Sequence, residues 1–73
     1  MSEQKKYNLK ALRSLFGYTQ AEAGELVGVS DDVWGRWERG ESYPDVPKIQ
    51  AIEKAFNVSY NDIIFLPSIT VKP

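Results

Sequence analysis

Residues that start and stop helices recur at short intervals along this chain, and this recurrence limits what the chain can fold into. Gly17, Gly28 and Gly40 each follow a short run with apolar side chains at helical spacing, and glycine is the residue that most often ends a helix. Asn57 takes the same place after a later run. Each interval leaves room for roughly two to three helical turns. The sequence therefore predicts an all-α fold of short helices in close succession.

N-cap residues stand directly before most of the predicted helices. Each has a short polar side chain that can accept a hydrogen bond from a free backbone amide, and they are Asn8, Thr19, Ser30 and Ser59. Thr19 and Glu22 form a capping box, and Pro47 is typical of a first helical turn. We predict five helices, over about residues 9–16, 20–27, 30–39, 47–56 and 60–65. No stretch has a convincing strand pattern, although Ile69 and Val71 alternate weakly.

The same residues divide the chain into one domain and two flanking segments. Residues 1–7 form a basic N-terminal arm, residues 8–66 form the domain, and residues 67–73 form an extended tail that Pro67 separates from the last helix. With 73 residues, the chain is long enough for a single small core. We expect that core to contain Leu12, Phe16, Val27, Val29, Trp34, Trp37, Ile49, Ile52, Phe56, Val58 and Ile63.

Composition argues against several classes of function. The chain has no cysteine and no histidine, so it has no thiol nucleophile, no catalytic imidazole and no ordinary zinc, haem or iron–sulfur site. A domain this small offers no sizeable cleft, and no nucleophile–base motif is present, so we do not expect an enzyme, a cofactor or a small-molecule ligand. No apolar run is long enough to span a membrane, and the first six residues lack the apolar region of a signal peptide. We therefore expect a cytoplasmic protein.

Charge is distributed unevenly along the chain, although the net charge is only −1. Residues 1–16 carry a net charge of +3, residues 17–45 carry −5, and residues 46–73 carry +1. A basic first segment and an acidic middle must be explained by any proposed function.

Residues 19–40 have the plan of a helix-turn-helix: a capped helix, a short turn with glycine, and a second capped helix. Several short motifs stand with this plan in order, and they are Leu12-Arg13, Gly17-Tyr18-Thr19-Gln20, Gly28-Val29-Ser30, Trp37-Glu38-Arg39-Gly40, Pro44 and Asn57-Val58-Ser59. Because of these motifs and their spacing, residues 8–66 resemble the Cro/Xre family of helix-turn-helix DNA-binding proteins, the lambda-repressor-like domains of phages and bacteria. Residues 57–67 look like short members from Gram-positive bacteria and their prophages. The resemblance implies a compact five-helix fold and a cytoplasmic transcription regulator of the repressor or Cro kind.

The resemblance also implies which residues read DNA. Arg36 falls on a base-facing position of the third helix, where it can bind guanine O6 and N7; the alternative is a solvent-facing arginine. Val33 either touches a thymine methyl group or supports the turn. Gln20 corresponds to a residue that bonds a phosphate or an adjacent base, or else it is a solvated first-turn side chain. Thr19 caps its helix and can add a phosphate bond.

Asp31 and Asp32 depart from the family, which often has glutamine, arginine, lysine, serine or threonine at these positions. Four interpretations stay open: they stabilise the positive end of the helix, accept a hydrogen bond from cytosine N4, repel phosphate and so lower non-specific affinity, or belong to a surface that does not bind DNA.

The segment after the third helix corresponds to the family's backbone grip. The residues expected to contact phosphate there are Arg39, Ser42 and Tyr43. Glu41 and Asp45 stand where many relatives carry basic residues, so this grip looks weaker than usual. Lys5, Lys6 and Lys10 compensate if the N-terminal segment lies along the phosphates.

Other conspicuous residues are expected to be structural. Trp34 and Trp37 occupy core positions of the family. Arg13 and Glu38 occupy positions that form an ion pair between helices 1 and 3 in close relatives.

Two functions follow as hypotheses. The first is a regulator that binds a double-stranded DNA operator, as a homodimer if Phe65, Leu66, Ile69 and Val71 supply an interface. The alternative is a protein-binding module on the same fold, such as an antitoxin, antirepressor or assembly partner, which uses the acidic face of the third helix.

Overall fold

The computed structural model describes residues 6–65. Four α-helices make up most of this part of the chain: α1 Leu9–Leu15, α2 Gln20–Val27, α3 Asp31–Arg39 and α4 Val46–Phe56. Two very short strands, β1 Tyr7–Asn8 and β2 Ile63–Ile64, pair in parallel, with Tyr7 opposite Ile63. The predicted extended tail, Leu66 and Lys5 lie outside the described residues.

The prediction of five α-helices is wrong, because the segment after Asn57 forms only a three-residue 3-10 turn, Tyr60–Asp62. Ser59 and Asp62 cap this turn reciprocally, as the pattern suggests, but the chain is already extended at Ile63, with φ −105° and ψ 133°. Ile63 then pairs with Tyr7. β-Branched residues favour extended backbone, and pairing with a strand from the start of the domain adds to that preference. The described part of the chain is therefore mostly helical, with four α-helices rather than five.

All four α-helices end in the same way. A residue with left-handed backbone follows each helix, and the amide of the next residue donates a hydrogen bond to the carbonyl five positions earlier. These bonds run from Tyr18 to Arg13, Val29 to Gly24, Glu41 to Arg36 and Val58 to Glu53. The left-handed residues are Gly17, Gly28, Gly40 and Asn57. The repeated ending allows the short helices to follow one another closely.

The core lies between the four helices. Its buried hydrophobic members are Leu9, Leu12, Ala23, Val27, Trp34, Trp37, Ile52, Phe56 and Ile63. Trp34 is fully buried, and its ring lies 5.7 Å from that of Trp37 and 5.9 Å from that of Phe56. α2 packs mainly against α3, and then against α4.

The prediction that Phe16 belongs to the buried core is wrong, since its side chain is 46% exposed. Phe16 stands at the C-cap of α1, just beyond the last helical residue, and lies at the edge of the core rather than within it. Its ring instead meets that of Phe56 edge-on from outside, with 5.2 Å between centroids. Ile49 is only half-buried, and Val29 and Val58 pack on the core while partly exposed.

Candidate nucleic-acid interface

The turn between α2 and α3 brings the two helices into close contact. A Cβ atom on the buried Gly24 would lie 2.7 Å from the Val29 carbonyl oxygen and 2.9 Å from that of Ser30. Only glycine allows this approach, because both neighbouring atoms belong to the backbone. Ser30 caps α3 by accepting a hydrogen bond from the Val33 amide at 3.2 Å. α3 is therefore fixed against α2 from its first turn.

α3 has one buried face and one exposed face. Trp34, Gly35, Trp37 and Glu38 are buried, whereas the exposed residues are Asp31, Asp32, Arg36 and Arg39. Val33 is half-buried and packs on the core, so at least part of its role is to support the turn. The outer face of α3 is thus polar and carries both signs of charge.

Arg36 points into solvent from the centre of this exposed face. Its side chain is 54% exposed, and its Nε lies 3.4 Å from Asp32 Oδ2 one turn earlier. At this distance and exposure the pair contributes little to stability, so the guanidinium can leave Asp32 for another acceptor.

Arg39 is held more closely by Glu41. Arg39 Nε donates to Glu41 Oε2 at 2.8 Å, and Arg39 Nη2 donates to Oε1 at 3.4 Å. The hydrogen bond from Arg39 lowers the pKa of the Glu41 carboxyl, and the same bond raises the pKa of the Arg39 guanidinium. Both arginines on the exposed face therefore have an acidic neighbour within the same segment.

Glu38 accepts hydrogen bonds from three side chains on three helices. Trp34 Nε1 donates to it at 2.5 Å and Arg13 Nε at 2.6 Å, while Gln20 Nε2 donates at 3.0 Å. Arg13 also donates from Nη1 to the Tyr18 carbonyl at 3.0 Å. Burial alone would raise the pKa of Glu38, but the hydrogen bonds from Arg13, Gln20 and Trp34, together with the charge of Arg13, outweigh it and lower that pKa. The ionised carboxylate thus ties α1, α2 and α3 together.

Gln20 is placed by this network at the edge of the exposed face. Its amide group has two N–H donors, and one of them is used by Glu38. A Cβ on Gly35 would lie 3.5 Å from Gln20 Oε1 and 3.2 Å from Arg39 Nη1. The absence of a side chain at Gly35 therefore lets Gln20 and Arg39 lie over the middle of α3. Gly35 is not among the residues predicted from the sequence to matter, although a glycine inside a helix is a visible signal.

Thr19 is a structural cap in this structure. Its hydroxyl oxygen accepts from the Glu22 amide at 3.1 Å, and Glu22 Oε1 accepts from the Thr19 amide at 2.8 Å. Thr19 is also exposed beside Gln20, at the N-terminal end of α2.

The remaining predicted contact residues lie on other elements. Ser42 is half-buried in the bend after α3, and Tyr43 is 46% exposed next to the buried Pro44. Tyr43 also lines a cavity of about 230 Å³ with Pro44, Ile49, Tyr60 and Phe65. Lys10 is exposed on α1.

The helices of residues 6–65 are too short and too polar for any of them to span a membrane.

α2 and α3 are packed together and joined by a glycine turn, and α3 exposes its outer face. This arrangement agrees with the result of comparing the chain with known protein families. A family model described as helix-turn-helix, of the Cro/Xre type, matches residues 9–63. The chain belongs to this helix-turn-helix family.

Individual relatives of this helix-turn-helix chain differ in size. It is 36% identical over 61 residues to YgzD of Bacillus subtilis, named as an uncharacterized HTH-type transcriptional regulator, and the match covers 84% of this chain and 92% of YgzD. YazB of the same organism, named in the same way, is 33% identical over 55 residues, which cover 75% of this chain and 80% of YazB. The antitoxin PezA of Streptococcus pneumoniae is 40% identical over 57 residues, 78% of this chain but only 36% of PezA. The family thus includes proteins named as transcriptional regulators and a longer protein named as an antitoxin.

Proposed function

We propose that this chain is a sequence-specific double-stranded DNA-binding transcriptional regulator that reads an operator with α3 in the major groove. The observation that carries the proposal is the placement of Arg36. Arg36 is exposed at the centre of the outer face of α3. The turn before α3 and the hydrogen bonds to Glu38 hold this helix in place. A second helix of a helix-turn-helix enters the major groove with this face. Such a protein represses by occupying promoter DNA, and it works where bacterial DNA lies, in the cytoplasm.

In this proposal the residues around α3 divide into base readers and phosphate contacts. Arg36 binds a guanine, with Asp31, Asp32 and Val33 close to the neighbouring bases. The phosphate contacts are Thr19, Gln20, Arg39, Ser42, Tyr43 and Lys10. A bidentate arginine–guanine contact supplies about 1–3 kcal/mol of discrimination against other bases.

Selection of bound duplexes from a random DNA pool tests this proposal. The wild-type chain should enrich a defined sequence, and Arg36→Ala should relax the preference at one base position. Lys54→Ala is the matched control, because Lys54 is an exposed cation on α4 and its loss should leave the selected sequence unchanged. If Arg36→Ala and the wild type select the same sequence with equal preference, the assigned reading face is wrong.

We also propose that two chains bind a palindromic operator, since helix-turn-helix proteins commonly bind half-sites about 34–36 Å apart as dimers. Of the apolar residues that the sequence analysis assigned to an interface, Phe65 is half-buried against the core and the other three lie outside the described residues. Ile64 and Tyr60 are exposed beside it, at 43% and 51%. Sedimentation with and without the selected operator tests the proposal, and a single chain bound at high concentration overturns it.

A second candidate function is a protein-binding module, which the similarity to the antitoxin PezA and the acidic side chains around α3 favour. Asp31, Asp32 and Glu41 would face a basic partner. This candidate replaces the first if the random pool yields no enriched duplex while the chain forms a stable complex with the product of a neighbouring gene.

A further inference from the structure

The ending of α3 differs from the endings of the other three α-helices in the residue that follows the left-handed position. After α1, α2 and α4, this residue is Tyr18, Val29 or Val58, and each packs against the hydrophobic core. An apolar contact of this kind commonly accompanies such a helix ending. Among the four α-helices of residues 6–65, only α3 has a charged residue there, Glu41. Its side chain does not contribute to the core and lies on the surface, 53% exposed.

The backbone holds the Glu41 carboxylate beside Arg39. The Glu41 amide donates to the Arg36 carbonyl at 2.9 Å, so the residue is fixed relative to the end of the helix. From there its two carboxylate oxygens face Nε and Nη2 of Arg39. These are donors of the guanidinium fork that bind two oxygens of a phosphate group. A phosphate cannot use them while Glu41 does.

We propose that Glu41 competes with DNA phosphate for Arg39 and thereby lowers the part of the DNA affinity that does not depend on sequence. The inference rests on the proposed function, because it assigns Arg39 to the DNA backbone. Phosphate contacts position a protein on DNA but carry no sequence information directly. By weakening one of them, Glu41 leaves a larger share of the binding to base contacts such as that of Arg36.

The competition affects affinity more than folding. An exposed ion pair adds little to the stability of the fold, so Arg39 can be released when DNA approaches. The released carboxylate then lies near a polyanion and opposes binding. Replacing Glu41 by glutamine keeps the shape of the side chain, removes this opposing charge and frees Arg39 for one more phosphate contact.

Binding to a short duplex of mixed sequence, titrated between about 50 and 200 mM salt, tests the inference. Glu41→Gln should bind this duplex about tenfold more tightly than the wild type at the low-salt end. Its plot of log affinity against log salt should be steeper by about 0.9, which corresponds to one added phosphate contact. Circular dichroism should show the same fold for both proteins.

Glu25→Gln is the matched control, because it makes the same change in net charge at an exposed position on α2. It should leave the salt slope at the wild-type value. In an Arg39→Gln background, Glu41→Gln should lose its effect on the slope, because the competition acts through Arg39. This dependence separates competition at one arginine from a general effect of charge.

The outcomes distinguish the inference from the proposed function. If the wild type binds the duplex and Glu41→Gln behaves like Glu25→Gln, the inference is overturned and the regulator proposal stands. If Glu41→Gln has the same effect on the salt slope in the Arg39→Gln background, the proposed competition for Arg39 is likewise overturned. If neither the wild type nor Glu41→Gln binds any duplex at the lowest salt, the proposed function fails and the inference fails with it.

Discussion

At the scale of single residues, Glu38 is the side chain on which the geometry of the exposed face depends. It is 5% exposed and accepts hydrogen bonds from Arg13, Gln20 and Trp34. One of these donors comes from α1, one from α2 and one from α3 itself. Loss of the carboxylate would therefore affect the position of Gln20 as well as the packing of Arg13.

Glu38→Gln should destabilise the fold by about 3–5 kcal/mol, because it leaves the Arg13 charge largely buried without its counter-charge. Urea denaturation followed by tryptophan fluorescence measures this change. Glu41→Gln is the control, since it breaks an exposed pair that contributes little to stability and should leave the unfolding free energy almost unchanged. Equal losses in the two variants would mean that the Glu38 network has no special structural role.

The pH dependence of the unfolding free energy of Glu38→Gln tests whether the charge of the Glu38 carboxylate causes this loss of stability. The pKa of Glu38 in the folded chain is lower than its ordinary value of 4.5. Its contribution is therefore fully present above the unfolded-state pKa and is lost as the pH falls through the folded-state pKa. The difference in unfolding free energy between wild type and Glu38→Gln should be constant near neutrality and shrink below about pH 4.5. A difference that does not change with pH would contradict this assignment.

Only part of this residue-level picture could be read from the sequence. The pairing of Arg13 with Glu38 was expected from family resemblance, not from local spacing. The hydrogen bonds from Gln20 and Trp34 were not expected, because the convergence of three donors on one carboxylate depends on how α1, α2 and α3 pack. Likewise, the pairing of Arg39 with Glu41 depends on a helix ending that turns the chain back toward α3.

At the scale of elements, the helix starts and ends could be predicted because they depend on neighbouring residues. Asn8, Thr19 and Ser30 cap α1, α2 and α3 through their side chains. Asp45 caps α4 in the same way, with its side chain accepting from the Lys48 amide at 3.2 Å, although it is not among the N-cap residues predicted from the sequence. The last element could not be predicted from its neighbours, since Ile63 pairs with Tyr7 from the far end of the domain.

The two buried glycines of the helix-turn-helix allow a matched test of how closely α2 and α3 pack. Gly24→Ala should destabilise the fold by about 1–3 kcal/mol, because the new Cβ meets the Val29 carbonyl oxygen at 2.7 Å and the backbone must shift. Gly35→Ala meets the flexible end of Arg39 at 3.2 Å. It should be neutral or should stabilise the fold by up to about 1 kcal/mol through helix propensity.

Thermal or urea denaturation of both variants checks this prediction. Because both changes add one methyl group to a buried position inside a helix, helix propensity alone would stabilise both equally. A gain of stability in Gly24→Ala would show that the turn is looser than the structure indicates.

At the scale of the whole molecule, the fold disperses the acidic charge of residues 17–45. Glu38 lies inside, where it faces Arg13, and Glu22 caps α2. Asp32 and Glu41 each lie beside an arginine of the exposed face. The net charge of the segment therefore overstates the negative charge that DNA would meet, which could not be judged from the sequence because it depends on where each carboxylate points.

The salt dependence of operator binding is the property in which these charges act together. In the proposed complex each chain offers Lys10 and Arg36 to DNA, and it offers Arg39 to the extent that Glu41 releases it. Each phosphate charge that such a cation neutralises adds about 0.9 to the magnitude of the slope of log affinity against log salt. A pair of chains on its operator should therefore show a slope of about −4 to −6. Lys10→Ala should reduce that magnitude by roughly 0.9 for each chain bound, whereas Lys54→Ala on α4 should not change it. Filter binding across a range of salt concentrations measures both effects. A slope near −10 would mean that the chain holds many more phosphates than these residues can reach, and it would assign most of the affinity to segments outside the helix-turn-helix.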